Sequence, residues 1–183
     1  MKIISEITYF IFPLLFAGLI HHFVVIKYNL FTFLAKPIDS DKYFNSRPLL
    51  GKSKTWRGLL LVPILSSIGS VIISYLVPMP ITLNPVWVGL LLGFGYAIAE
   101  LPNSFLKRRF DIQAGQKANN KSRVFFLVLD QIDSVIGAII IMLLIYPASL
   151  ILCISILIIG SLLHLTVDFC LYKYGYKKSR DNQ

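Results

Sequence analysis

Apolar residues fill this chain in five long blocks, residues 7–26, 58–77, 86–106, 124–145 and 148–169, set apart by short polar segments. Each block is 20 to 22 residues long. A bilayer core needs about 20 apolar residues per helix. The pattern therefore predicts an all-α integral membrane protein with five transmembrane helices, forming a single membrane domain over residues 1–183. The first block is too long for a leader peptide. It is followed by Lys27, Tyr28 and Asn29 rather than by a small-residue cleavage site, so it reads as a first anchor. No extramembrane stretch is long enough to bury a core of its own.

Composition agrees with the pattern. Hydrophobic residues are 56% of the chain and charged residues 15%, where a soluble domain carries about 25%. The two cysteines, Cys153 and Cys170, lie in the last block, about 25 Å apart along a helix. They read as packing residues rather than a disulfide.

The formal charge of +9 changes the picture only once the cations are located. Seven lie between the first two blocks, in the loop 27–57, and six between the third and fourth, in the loop 107–123. Four more are in the tail, and Lys2 alone falls on the other side. The positive-inside rule then predicts an outside N-terminus, a cytoplasmic C-terminus and two basic cytoplasmic loops. The excess charge is accounted for by topology, so it does not call for nucleic acid. The predicted location is the cell membrane, multi-pass.

The polar exceptions inside the blocks carry the chemistry. Glu100, Asp130, Asp133 and Asp168 are acids within spans, where ionisable groups are expensive and mark functional sites. Glu100, Asp130 and Asp133 lie about 9–14 Å below the same boundary, beneath the basic loops. This layout predicts a polar cavity open to the cytoplasm. Asp130 and Asp133 are spaced i, i+3 and share a helix face. Two ionised carboxylates that close either take up a proton or hold a cation between them. Carboxylate-only ligation favours Mg²⁺ or a similar hard ion. Interhelical hydrogen bonding or a proton path would use the same pair. Ser134, Gly137 and Ala138 follow and let a neighbouring helix approach closely.

The segment Gly51-Lys52-Ser53-Lys54-Thr55-Trp56-Arg57-Gly58 lacks the spacing and the preceding strand of a P-loop. It still combines a glycine, cations that grip phosphate and a following helix N-terminus that favours anions. Ordinary loop charge with Trp56 as an interfacial anchor is the competing account. In the second segment, Pro102 is expected to break or kink the helix just after Glu100, and Lys107, Arg108 and Arg109 follow. Snorkelling to lipid headgroups would explain these three cations equally well. Two basic loops over a carboxylate pair suit a polyphosphate chelated to a metal. His164 and Asp168, four apart, are placed to hydrogen-bond, and His21 and His22 are cavity or interface residues.

Three stretches together resemble the CDP-archaeol synthase family, relatives of the CDP-diacylglycerol synthases. They are Pro37-Ile38-Asp39 through Leu50-Gly51-Lys52-Ser53-Lys54-Thr55-Trp56-Arg57-Gly58, then Ser104-Phe105-Leu106-Lys107-Arg108-Arg109, then Asp130-Gln131-Ile132-Asp133-Ser134. The resemblance covers about residues 37–140. It implies Mg-dependent transfer of CMP from CTP to a lipid phosphate, releasing pyrophosphate and giving a CDP-activated lipid for phospholipid synthesis. Its partners are then CTP, the lipid acceptor and membrane lipids, and a homo-oligomer is compatible with the chain. It further implies that Asp130 and Asp133 hold the metal, with Glu100 as a further ligand. Lys107 joins Asp130 and Asp133 in the catalytic set, and Lys54, Thr55, Arg57, Ser104, Arg108 and Arg109 contact substrate. The chain departs from the family pattern in having Ala99-Glu100 where an acid after glycine is expected, and Ser40-Asp41 in place of a glycine-rich form. A small transporter with the acids as its proton or cation path is the rival reading. It expects acids spread through the membrane depth, whereas the outer half of every span has only Glu6, at its edge.

Overall fold

The computed structural model describes residues 2–114 and 122–173. Among these are five helices long and apolar enough to cross a membrane. They are α1 (Lys2–Ile20), prolonged by a π turn at His21–Ile26, α2 (Trp56–Ser74), α3 (Pro85–Arg109), α4 (Arg123–Ile145) and α5 (Leu150–Lys173). Of the cations that predict orientation, Lys117, Lys121, Lys177, Lys178 and Arg180 lie outside the described residues.

Local chemistry sets the helix starts. Thr55 caps α2, its Oγ1 accepting from the Gly58 N–H at 3.5 Å. Asn84 caps α3, its Oδ1 accepting from the Val86 N–H at 2.9 Å, and Pro85 takes the first helical position, where a missing N–H costs nothing. One expectation needs correcting. Pro102 does not end α3, which continues to Arg109 and carries Lys107, Arg108 and Arg109 in its last turn. A proline removes one N–H bond, here to the Ile98 carbonyl. The helix runs on past Pro102, and side chains on both sides of that residue are bonded to neighbouring elements, as described below.

The bundle has two dissimilar ends. At the far end, which carries residue 2, Tyr9, Phe10, Ile73, Val88, Leu92, Met142 and Leu152 form one apolar core drawn from all five helices. Glu6 is buried beside it and accepts a hydrogen bond from Tyr146 Oη at 2.8 Å. Halfway along, α3 and α4 cross at Gly95 and Gly137. A Cβ on Gly95 would meet the Gly137 carbonyl oxygen at 2.7 Å, so both positions need the missing side chain. This contact brings the next two turns of each helix face to face.

At the other end, the loop end, residues 27–55 fold as a compact cap. The cap's two edges are joined where Ile38 N–H donates to the Lys54 carbonyl and Trp56 N–H to the Lys36 carbonyl, at 2.9 and 3.1 Å. A two-residue hairpin, β1 (Tyr43–Phe44) and β2 (Arg47–Pro48), projects from it. Asp39 is the cap's internal anchor, accepting from the N–H groups of Leu50, Gly51 and Asp41 at 2.8, 2.9 and 3.2 Å. Burial alone would raise its pKa. The backbone donors outweigh burial and hold the carboxyl below the usual carboxylate range.

Candidate functional site: a charged cavity at the loop end

A cavity of about 640 Å³ opens between the cap and the helices. This is within the 300–1,000 Å³ span of ordinary ligand sites. Lys54, Thr55, Arg57, Glu100, Ser104, Lys107, Arg108, Asp130 and Asp133 all line it. Its far wall is apolar, with Ile11, Leu14 and Leu15 from α1 facing Ile156, Leu163 and Val167 from α5.

The charges inside are paired in a definite pattern. Lys54, from the cap, binds Glu100 of α3, and Lys107 of α3 binds Asp130 of α4. Burial by itself would favour the neutral Lys54 amine, but the Glu100 carboxylate outweighs it and raises the Lys54 pKa. Ser134 Oγ donates to Glu100 Oε1 at 2.9 Å and lies 3.1 Å from Asp133 Oδ1. Asn103 spans the acid pair, with Nδ2 2.8 Å from Asp130 Oδ1 and 2.6 Å from Asp133 Oδ2. The three acids are therefore linked, but Glu100 turns toward Lys54 rather than into the Asp130–Asp133 pair. No group of three His, Cys, Asp or Glu able to hold a metal occurs among the described residues.

The arginines divide between cavity and scaffold. Arg57 Nη1 donates to Asn29 Oδ1 and the Leu30 carbonyl at 3.1 and 3.2 Å, and its buried Nε has no partner. Arg108 is 5% exposed. It donates from Nε to the Leu50 carbonyl at 3.0 Å and from Nη1 to the Ile112 carbonyl, although it borders the cavity. Gly51, at φ +85°, sits against this guanidinium, and a Cβ there would lie 3.0 Å from Arg108 Nε. Its glycine serves the cap–α3 contact. Arg109 is not brought to the cavity at all. It donates to the carbonyls of Phe44, Arg47 and Pro48 and stacks over Phe105 with its carbon 4.9 Å from the ring centre. A guanidinium committed to three hairpin carbonyls braces the cap, so substrate contact by Arg109 finds no support in its placement.

Other polar residues complete the wall. His164 Nδ1 lies 3.0 Å from Gln131 Oε1 of α4, and His21 Nε2 is buried without a partner at the start of the π turn. Asn103 was missed by sequence reading. An asparagine between Pro102 and Ser104 carries no local signal, but its position three residues after Glu100 and four before Lys107 puts it on their helix stripe.

Five apolar helices closed at one end by a folded cap, over a cavity of paired lysines and carboxylates, define an intramembrane protein with a buried polar site. Residues 1–180 match the family model described as CarS-like: CDP-archaeol synthase, and the chain belongs to that family. A CDP-archaeol synthase of Methanospirillum hungatei is 38% identical over 158 residues, covering 78% of this chain and 87% of that protein. One from Methanococcus vannielii is 32% identical over 156 residues, covering 78% and 82%. A solved intramembrane enzyme for archaeal membrane lipids biosynthesis shares the fold, with a TM-score of 0.65 at 23% identity, over 90% of this chain and 93% of that one. Family membership makes the protein a membrane cytidylyltransferase of lipid biosynthesis.

Proposed function

We propose that the protein transfers CMP from CTP to a membrane lipid phosphate at the loop-end cavity, on the cytoplasmic side of the membrane. The observation that carries this reading is the continuity of one cavity from the charged cluster to the apolar wall of α1 and α5. A nucleotide triphosphate suits the charged part, and a phosphate bearing hydrocarbon chains suits the junction of the two parts. The cations of the cap and of the last turn of α3, gathered at this end, support the cytoplasmic placement through the positive-inside rule.

An oxygen of the lipid phosphate attacks the α-phosphorus of CTP. The bond from that phosphorus to the β-phosphate oxygen breaks, and pyrophosphate leaves with its electron pair. The attacking phosphate is largely ionised near neutral pH, so the site needs positioning and charge neutralisation more than a strong base. Lys54 and Lys107 are the cations for this work. Each is held at the cavity by a carboxylate and can turn to a phosphate oxygen. Arg57 adds a third cation at the cap edge, while Thr55 and Ser104 supply hydroxyls on the lining. Asp130 and Asp133 fit a hard divalent cation, since two carboxylates from one helix face converge on a single donor nitrogen. Such an ion supplies charge neutralisation to a bound triphosphate. Arg108 and Arg109 hold the cap over the site.

The test is pyrophosphate release by the purified protein from CTP and Mg²⁺, with an isoprenoid ether phosphate and a diacyl phosphatidate in separate arms. Release in neither arm overturns the reading, and the arm that responds names the lipid.

A further inference from the structure

Asn103 is 5% exposed and points into the site from α3. Its single nitrogen stands within 2.8 Å of an oxygen from each of Asp130 and Asp133. An ion shared between those two carboxylates would need that same position. The other end of the amide, Oδ1, is buried and without a hydrogen-bond partner. A native core rarely leaves a buried carbonyl oxygen bare, and such a group calls for a reason. A half-turn about the Cβ–Cγ bond exchanges the two ends of the amide. Three oxygens then face one point, an arrangement that repels when empty and suits a hard cation, which takes amide carbonyls as readily as carboxylates. Glu100, the other acid nearby, is engaged by Lys54 and Ser134. The pair therefore lacks a third protein oxygen unless Asn103 provides it.

We propose that Asn103 is a ligand of the divalent cation held by Asp130 and Asp133, and that its amide NH₂ takes the cation's place when the site is empty. The proposal rests on the carboxylate–metal reading of the preceding section. Loading the site then requires rotation of the Asn103 amide and withdrawal of the Lys107 ammonium from Asp130, with no helix movement, because the Gly95–Gly137 contact already holds α3 against α4.

Two roles for Asn103 give opposite signs. If it is a ligand, Asn103→Leu weakens cation binding. If it is only a brace that competes with the ion, the same change leaves binding equal or tighter. The experiment titrates Mn²⁺ into the purified protein in detergent, following free Mn²⁺ by electron paramagnetic resonance and thermal unfolding against Mg²⁺ concentration. The expected result for Asn103→Leu is a rise in Kd of about 10- to 100-fold, the range seen when one supporting group of a metal site is removed. Asn103→Asp restores an oxygen with added charge. It should bind the ion at least as tightly as the native protein, while its ion-free form unfolds at lower temperature. Unchanged or tighter binding by Asn103→Leu overturns the proposal. So does binding by Asn103→Asp as weak as that of Asp130→Asn, and this second comparison decides alone if the leucine variant does not fold. No ion-dependent stabilisation of the native protein at all would instead defeat the carboxylate–metal reading itself.

Discussion

At the far end of the bundle, Glu6 meets one phenol, Tyr146, and the exposed Lys2 ammonium 3.8 Å away, beside a sealed core of Tyr9, Phe10, Leu92, Met142 and Leu152. At the loop end, Glu100, Asp130 and Asp133 meet two lysines, an asparagine and a serine around an open cavity. Both ends bury acids and both satisfy them. The difference lies in what can replace the partner. Glu6 takes its hydrogen bond from a phenol fixed in a packed wall, with only Lys2 at the surface beside it, so the wall has no room for a ligand to replace that phenol. The loop-end carboxylates are matched mainly by rotatable side chains with space beside them, which leaves room for the exchange that the proposed function requires. A buried polar cluster is thus structural or functional according to the room next to it, more than according to its residue types.

The strongest way to break this comparison is to swap the expected consequences. Asp130→Asn and Asp133→Asn should each lower kcat by about 10²- to 10³-fold, the scale for losing one electrostatic stabiliser. Thermal stability should hold better in Asp133→Asn than in Asp130→Asn, which also strands the Lys107 ammonium. Met142→Ala at the far end should do the reverse, lowering the unfolding temperature while the folded fraction keeps its turnover. Parallel losses at both ends in both measurements would erase the distinction.

A smaller effect sharpens it. Lys54→Ala and Lys107→Ala each remove a charge-assisted contact worth about 1.5–3 kcal/mol, or roughly 10- to 150-fold in kcat/KM. Lys42, exposed on the cap, is the control and should change little. Arg109→Ala should show up mainly as faster proteolysis of residues 27–55, with a smaller loss in kcat/KM than Lys107→Ala. An equal loss would return Arg109 to the substrate.

The smallest effect is a pH dependence of the cap. The folded Asp39 pKa lies below its unfolded value near 3.9. Its contribution to stability is therefore complete above about pH 4 and disappears as pH falls through the lower folded value. Limited proteolysis of residues 27–55 should accelerate below about pH 4, and Asp39→Asn should flatten that response. A native profile that matches the variant would remove Asp39 as the anchor.

Hydropathy made the five helices legible, and of the small residues Ser134, Gly137 and Ala138 it is Gly137 that stands at the close crossing with α3. The end of α3 was less legible. Lys107, Arg108 and Arg109 read as loop because cations usually sit in water, whereas here a carboxylate and a set of loop carbonyls receive them. The acids Glu100, Asp130 and Asp133 stood out against an apolar background. Their pairing did not: Lys54 and Ser134 stood out for other reasons and Asn103 not at all, because these contacts form only when α3, α4 and the cap meet. The scaffold role of Arg109 was equally hidden, since a guanidinium bound to hairpin carbonyls and one bound to phosphate look alike in a sequence.

The Lys107–Asp130 and Asn103–Asp133 contacts join α3 to α4, helices that leave the ribosome one after the other. A carboxylate at the centre of a lone helix costs about 2.5–3.5 kcal/mol to insert from the translocon, and α4 carries two. Those two costs offset much of what its apolar residues contribute. With α3 waiting beside the exit, its lysine and amide turned toward the newcomer, the two can pass into lipid as a hairpin. Insertion assays on α4 alone and on the α3–α4 pair should differ accordingly, and Lys107→Ala should narrow the difference. The contacts that join α3 to α4 would then first have served as the means by which the acids of α4 reached the membrane.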